Sequence, residues 1–191
     1  MFDYCAVLIA VILGLALIHL LRGLARQMQM RHDIRPYWVH ILWTIDVIIW
    51  VLAIWWGMFW WRGLQELTAP WFYFLIGYAV LQFLWAAILY PPEFSAGLDF
   101  EDYFFSNRYW FFGIQAAVIL MDIPETLVKG AAHLRPVPEQ YPYLISGLLI
   151  VTALALLSRN RRLHGALSVA WLLLTLGYVF FIPLMSRIVG H

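Results

Sequence analysis

One stretch of the sequence limits the possible folds more than any other. Residues 37–61, YWVHILWTIDVIIWVLAIWWGMFWW, are 25 residues long and almost wholly apolar. As a helix this stretch is roughly 37 Å long, which is enough to cross a bilayer core of about 30 Å. It contains one carboxylate, Asp46, and one histidine near its start, His40. The pattern predicts a transmembrane helix with a single acidic group inside it.

The composition agrees with a membrane location. Hydrophobic residues make up 64% of the 191-residue chain and charged residues 12%, whereas soluble domains carry about 25% charged residues. The basic residues are scattered, which argues against a nucleic-acid partner. The one cysteine, Cys5, excludes an intramolecular disulfide and a cysteine-rich metal site. The lipid bilayer is therefore the expected partner, and no metal site or cofactor is indicated.

The hydropathy pattern predicts an all-α, polytopic membrane protein with six transmembrane helices in a single domain over residues 1–191. Proline pairs, arginines and polar connectors separate the apolar runs. The first run is expected to be retained as a helix, since it lacks the basic start and cleavage site of a signal peptide. Residues 93–107 are expected to form a connector, with a short interfacial helix as one possibility. The six predicted spans are about 4–21, 37–61, 70–90, 108–128, 141–157 and 165–185.

The basic residues predict an orientation, because cytoplasmic connectors are enriched in lysine and arginine. Eight basic residues fall on one side of the six-span topology and four on the other. The side with eight is expected to be cytoplasmic, so both termini are expected outside, in a bacterial inner (cytoplasmic) membrane. The eight are Arg22, Arg26, Arg31, Arg35, Arg108, Arg159, Arg161 and Arg162.

Polar residues inside spans are the candidates for function, because a charge within the hydrocarbon costs roughly 2.5 kcal/mol or more. Asp46, Gln82 and Gln115 are expected at a similar depth in spans two, three and four. One interpretation is a ligand- or proton-binding pocket between these helices. The other is a structural hydrogen-bond cluster that holds the helices together.

Two histidines lie near the same ends of spans one and two. His19 and His40 are expected to meet each other or to approach Asp46, with His40 part of the candidate site and His19 secondary. Two histidines and one aspartate fall short of a metal site, which needs three or four ligands. The alternative is that both are interfacial residues that bind headgroups or backbone carbonyls.

A third polar group lies toward the end of span four. Asp122 and Glu125 share a helix face, and Glu125 precedes Lys129 by four residues, in the order that favours an ion pair. This group either forms the outer mouth of a cavity or is a polar helix end with an ordinary surface pair. Asp122 is placed in the candidate ligand or proton site, and Glu125 is secondary to it.

No catalytic motif accompanies these residues: nucleophile, zinc-protease, phosphate-loop and dinucleotide motifs are all missing from the sequence. Two functions of different classes remain. The first is a small membrane protein that binds or transports a small solute or protons at the Asp46 site, as a homo-oligomer. The second is a non-catalytic accessory subunit that packs against a membrane-protein partner. An enzyme with His19, His40 and Asp46 as acid–base groups is a weaker third hypothesis.

Overall fold

A computed structural model describes residues 2–63, 68–132, 139–177 and 179. Six α-helices and one 3₁₀ helix account for most of these residues, and no β-strand forms among them. The α-helices are α1 (Phe2–Gln29), α2 (Trp38–Gly57), α3 (Ala69–Ala87), α4 (Phe100–Ala132), α5 (Tyr141–Leu157) and α6 (Arg161–Leu176); the 3₁₀ helix is Met58–Gly63.

Four helices are long and apolar enough to cross a membrane, namely α1, α2, α3 and α4. The fifth is a shorter apolar helix, and its bounds agree with the predicted span. The sixth begins at Arg161, four residues before its predicted start. Residues 178 and 180–185 of the predicted sixth span lie outside the described residues. The structure therefore confirms an all-helical chain with membrane-length helices.

Several predicted boundaries differ from the helices that form. The first helix runs eight residues past the predicted end at 21, because the sequence RGLARQMQ contains no helix-breaking proline. The fourth begins at Phe100, so half of the expected connector forms its first two turns. The Asp99 carboxylate accepts hydrogen bonds from the backbone N–H groups of Glu101 and Asp102, and this N-cap fixes the start.

Consecutive helices alternate in direction, so the connectors gather at two ends of the bundle. At the end that we call the Arg35 end, residues 30–37, 88–99 and 158–160 join the helices. Backbone hydrogen bonds link Arg35 to Leu98 and Phe100, and the Gly97 N–H donates to the Asp33 carbonyl at 2.7 Å. Gly97 has a φ of 83°, a conformation that side chains with a Cβ rarely adopt. The other end, where the 3₁₀ helix approaches Lys129, is called the Lys129 end.

The helices form a closed ring in the order α1, α3, α4, α5, α6, α2, and α2 also contacts α3 and α4. Aromatic side chains fill the space beside α2, with neighbouring ring centroids 4.9–6.5 Å apart. All are at most 1% exposed. We call this set the aromatic core: Trp43, Trp50, Trp85, Phe111, Phe112 and Trp171.

Contacts of one tyrosine, Tyr90, hold α1, α2 and the segment after α3 together at the Arg35 end. The Tyr90 hydroxyl lies 3.2 Å from both Thr44 Oγ1 and Gln27 Oε1. The Tyr90 hydroxyl donates to Gln27 Oε1. The Tyr90 ring lies against Gly23, where a Cβ would overlap three ring atoms. A glycine is therefore required at this position of α1.

We predict that Gly23→Ala destabilises the protein by about 1–3 kcal/mol, because the added methyl group must displace the Tyr90 ring. Thermal unfolding in detergent measures the effect. Gly14→Ala on the same helix is the matched control, since a Cβ there would meet no atom within 4 Å. Equal stability of the two variants would contradict the close approach of Gly23 and Tyr90.

Candidate functional site

The three polar residues predicted to share a depth are all completely buried. Asp46, Gln82 and Gln115 each have an exposed fraction of 0%. Their depths in the bundle can be compared through rings of the aromatic core that contact one another. Trp43 of α2 contacts Phe111 and Phe112 of α4, and Trp85 of α3 contacts Phe111. We call these three residues the polar layer.

The register of the helices places the polar layer about one turn from those rings. Asp46 and Gln115 follow Trp43 and Phe112 by three residues in α2 and α4, which run in the same direction. Gln82 precedes Trp85 by three residues in α3, which runs in the opposite direction. Each is therefore about 4.5 Å closer to the Lys129 end than the rings.

The expected hydrogen bonds between Asp46 and the two amides do not form. Both Asp46 carboxyl oxygens lack a hydrogen-bond partner, and so do both polar atoms of the Gln82 amide. Gln115 instead donates from Nε2 to Thr152 Oγ1 at 2.9 Å, and its Oε1 has no partner. The physical reason is that Gln115 faces α5, whose Thr152 supplies a closer acceptor. The polar layer is thus buried but only partly satisfied.

Asp46 lies on the face of α2 that packs against α3, α4 and α6. It is three residues after Trp43 and four before Trp50, so the three side chains share one helix face. Both indoles contact Trp171 of α6, with centroids 5.7 and 6.1 Å away. The Asp46 side chain is 0% exposed, so the protein encloses it on the helix face that also carries these indoles.

The unmet groups of the polar layer are mostly acceptors. They comprise two carboxyl oxygens of Asp46 and the amide oxygens of Gln82 and Gln115, against the single NH₂ group of Gln82. Burying such groups without partners is unfavourable, and an ionised carboxylate is the most costly of them. Chemically, the arrangement is suited to hold a proton or a group that donates hydrogen bonds.

The two histidines lie beside Tyr90 rather than beside Asp46. The ring centroids of His19 and His40 are 6.2 and 4.9 Å from that of Tyr90. His40 is 0% exposed, and its Nε2 lies 2.6 Å from the Leu89 carbonyl oxygen. It thus binds a backbone carbonyl, as one interpretation expected, but from the interior rather than at a headgroup surface. Among the described residues no group of three metal-ligating side chains forms.

The His40 side chain also borders a crevice at the Arg35 end. The crevice is too narrow to admit a water molecule, and its walls do not include Asp46. The walls are formed by His40, Ile88, Leu89, Tyr103, Phe104, Asn107 and Phe111.

The third polar group is an internal network, not a surface pair. Asp122 is 0% exposed and Glu125 is 1% exposed. Tyr141 donates to Asp122 Oδ2 at 2.8 Å, and Tyr78 donates to Oδ1 at 3.3 Å. The interpretation of Glu125 and Lys129 as a solvated helix end is therefore wrong, because neighbouring helices cover this part of α4.

Glu125 has two partners of its own. The Trp61 indole donates to Oε1 at 2.8 Å, and the Lys129 ammonium lies 2.6 Å from Oε2. This network joins α3, α4, α5 and the 3₁₀ helix at the Lys129 end. Its carboxylates are supplied with donors and a cation, in contrast to Asp46. We infer that it stabilises the bundle rather than leaving capacity for a ligand.

Sequence reasoning missed the residues that supply the donors. Thr152, Tyr78, Tyr141 and Trp61 lie in apolar runs or near predicted interfaces, where hydroxyl and indole groups are common and carry no special signal. One signal was present along α4, where polar residues recur every seven positions and so lie along one face. The five are Glu101, Arg108, Gln115, Asp122 and Lys129.

Comparisons of the chain with protein-family models, with curated proteins and with solved structures found no match.

We predict that Tyr141→Phe destabilises the protein by about 1–3 kcal/mol, because it removes a donor from a buried carboxylate. Tyr143→Phe on the same helix is the control, since Tyr143 is 81% exposed and its loss should change stability by less than about 0.5 kcal/mol. Thermal or denaturant unfolding compares the two. If the Tyr143 variant lost as much stability as the Tyr141 variant, the Asp122 network would not have the assigned role.

We also predict that Lys129→Met destabilises the protein by about 3–5 kcal/mol, because it leaves Glu125 as a buried charge without a cation. The double variant Glu125→Gln/Lys129→Met should recover part of this loss, since the uncompensated charge is then removed. A double-mutant cycle of unfolding free energies measures the coupling. Additive losses would show that the two side chains are not paired.

Proposed function

We propose that this chain is a six-span integral membrane protein that binds protons or a small hydrogen-bond-donating solute at the polar layer. The observation that carries the proposal is the Asp46 carboxyl group, which is 0% exposed and has no hydrogen-bond partner on either oxygen. A leucine or isoleucine at this position would avoid the cost of burying a carboxyl group. Intramembrane acidic residues more often mark proton or substrate pathways.

The unpaired acceptors of the polar layer support a ligand that donates hydrogen bonds. Gln82 and Gln115 offer amide oxygens at the depth of Asp46, and all three belong to different helices. Each of these helices therefore offers an unpaired acceptor to a donor that reaches this depth of the bundle. Water reaches none of them in the structure, so binding requires a small opening of the bundle or movement of a proton through transient water.

Transport is the further step of this proposal. Movement of a proton or solute requires alternate access from both sides, and six helices are few for a complete pathway. We therefore propose a homo-oligomer in a bacterial inner membrane, with the Arg35 end in the cytoplasm and both termini outside. The eight basic residues assigned to the Arg35 end support this orientation.

The alternative function is a non-catalytic accessory subunit of a larger membrane complex. The observation that favours it is the tight packing of the aromatic core beside α2, together with the complete burial of Asp46. Large aromatic side chains also remain on the outside, including Trp56 at 74% and Trp110 at 71% exposure. They suit contact with lipid or with a membrane-protein partner.

We predict that Asp46→Asn abolishes a pH-dependent signal of the purified protein while the helical fold is kept. The isosteric amide retains the shape of the side chain but cannot release or take up a proton. Infrared difference spectra recorded across a pH step would show a carboxyl C=O band in the wild type that is lost in the variant. Asp102→Asn is the control, because Asp102 is exposed and lies outside the polar layer.

Proton flux separates the two functions. Wild-type protein in liposomes that hold a pH-sensitive dye should acidify or alkalise the lumen when a membrane potential is applied, and the Asp46→Asn variant should not. A carboxyl band without flux would favour the accessory subunit. Absence of both the band and the flux in the wild type would overturn the proton site.

A further inference from the structure

Arg108 is a buried cation. It is 2% exposed, and among the described residues no ion pair joins it to an acidic side chain. Its Nη1 donates to the Phe105 carbonyl at 3.3 Å, whereas its Nε has no partner. A guanidinium that is removed from water is strongly destabilising unless an anion and good hydrogen bonds compensate it. The chain itself supplies no such anion among its described residues.

The position of Arg108 brings it beside a buried histidine. Three rings of α4, from Phe104, Phe105 and Phe112, contact the His164 ring at centroid distances of 5.0–5.7 Å. Arg108 lies three or four residues from each of them, on the same helix face. An electrostatic interaction between Arg108 and His164 agrees with this placement. The guanidinium therefore lies between α4 and the start of α6.

His164 adds a second unmet polar atom at this place. It is 0% exposed, its Nε2 lies 3.0 Å from the Ser158 carbonyl oxygen, and its Nδ1 has no partner. The nearest acidic residue along this face of α4 is Glu101, two turns away, and it is already paired with Arg161. Within the part of the chain that the structure describes, no acidic side chain thus neutralises the charge of Arg108.

Further features suit an anion from the surrounding membrane. Arg159 and Arg162 are exposed at the same end of the bundle. The guanidinium carbon of Arg108 lies 3.9 Å from the centroid of the Tyr109 ring, which is 55% exposed. The neighbouring Trp110 is 71% exposed and offers an apolar surface to an acyl chain. The guanidinium of a buried arginine thus lies against a ring that is itself open to the surroundings.

We propose that Arg108 and His164 form a binding site for a phosphate group at the Arg35 end of the bundle. The planar guanidinium can donate two parallel hydrogen bonds to phosphate oxygens. His164 already donates from Nε2 to the Ser158 carbonyl, so Nδ1 can add a third donor only when the ring is a positively charged imidazolium. The phosphate belongs either to an anionic phospholipid headgroup or to a free phosphate ion. The proposal does not depend on Asp46 or on the function proposed above.

The test measures binding of three probes to purified protein in neutral detergent: phosphatidylglycerol, phosphatidylcholine and inorganic phosphate. Native mass spectrometry and the shift of the thermal unfolding temperature give the affinities. The wild type should bind phosphatidylglycerol more tightly than phosphatidylcholine. Arg108→Gln should weaken that binding by about tenfold to a hundredfold, the range expected for lost charge-assisted hydrogen bonds.

Matched variants separate the site from general surface charge. Arg159→Gln, which removes an exposed arginine from the same end, should retain most of the affinity for phosphatidylglycerol. If Arg108→Gln does not fold, Arg108→Lys takes its place, because lysine keeps the positive charge. Arg108→Lys should bind phosphatidylglycerol about tenfold more weakly than the wild type, because an ammonium group cannot donate two parallel hydrogen bonds. Asp46→Asn should bind as the wild type does, so this proposal and the proton site fail separately.

The outcomes identify the source of the phosphate or reject the site. Stabilisation by phosphatidylglycerol alone assigns a lipid headgroup, and equal stabilisation by inorganic phosphate assigns a free ion. Equal binding of the two lipids with no effect of phosphate would overturn the proposal. An Arg159→Gln loss as large as that of Arg108→Gln, or an unchanged affinity in Arg108→Lys, would also overturn it.

Discussion

Packing of large indole rings around the second helix is the interaction on which the rest of this bundle depends. In lipid the hydrophobic effect gives little force between helices, so shape and close contact must hold them together. Trp43 and Trp50 bring α2 against α4 and α6, and Trp85 extends the contact to α3. The broad surfaces of these rings provide a large dispersion energy between the helices. A helix of leucines would make much of its dispersion contact with acyl chains instead.

The same packing creates a contrast between two kinds of buried polar group. At the Lys129 end, Asp122 and Glu125 receive donors from tyrosine, tryptophan and lysine side chains on neighbouring elements. Beside the aromatic core, Asp46 and Gln82 receive none. Satisfied groups fix the arrangement of helices, whereas unsatisfied ones retain chemical capacity. That difference is why the proposed function is placed at Asp46 and not at the more extensive network around Asp122.

The sequence predicted the helical class and the depth of the polar residues, but not their partners. Length and hydropathy suffice to locate α2, α3 and α5, because a run of apolar residues has one plausible state in a membrane. The partner of Gln115 depends on which face of α5 meets α4, and that is decided by packing of the whole bundle. Glu125 illustrates the same point: its spacing from Lys129 predicted the pair, but only tertiary structure buries it.

Boundaries were less predictable for a related reason. The start of α4 at Phe100 follows from the Asp99 cap, whose aspartate looked like part of an acidic connector. The end of α1 lies beyond the apolar run, because a helix can continue into water when its side chains favour it. Hydropathy marks where lipid ends, whereas capping and propensity decide where a helix ends.

The polar residues that recur every seven positions along α4 have a consequence for how this helix can move. A half-turn about its own axis would bring Arg108, Gln115 and Asp122 out of the protein and into acyl chains at three separate depths. Sliding along the axis would in turn separate Gln115 from Thr152 and Asp122 from Tyr141. The same row of side chains thus opposes both rotation and translation of α4. Any gating motion would therefore have to be a movement of the other helices relative to a stationary α4.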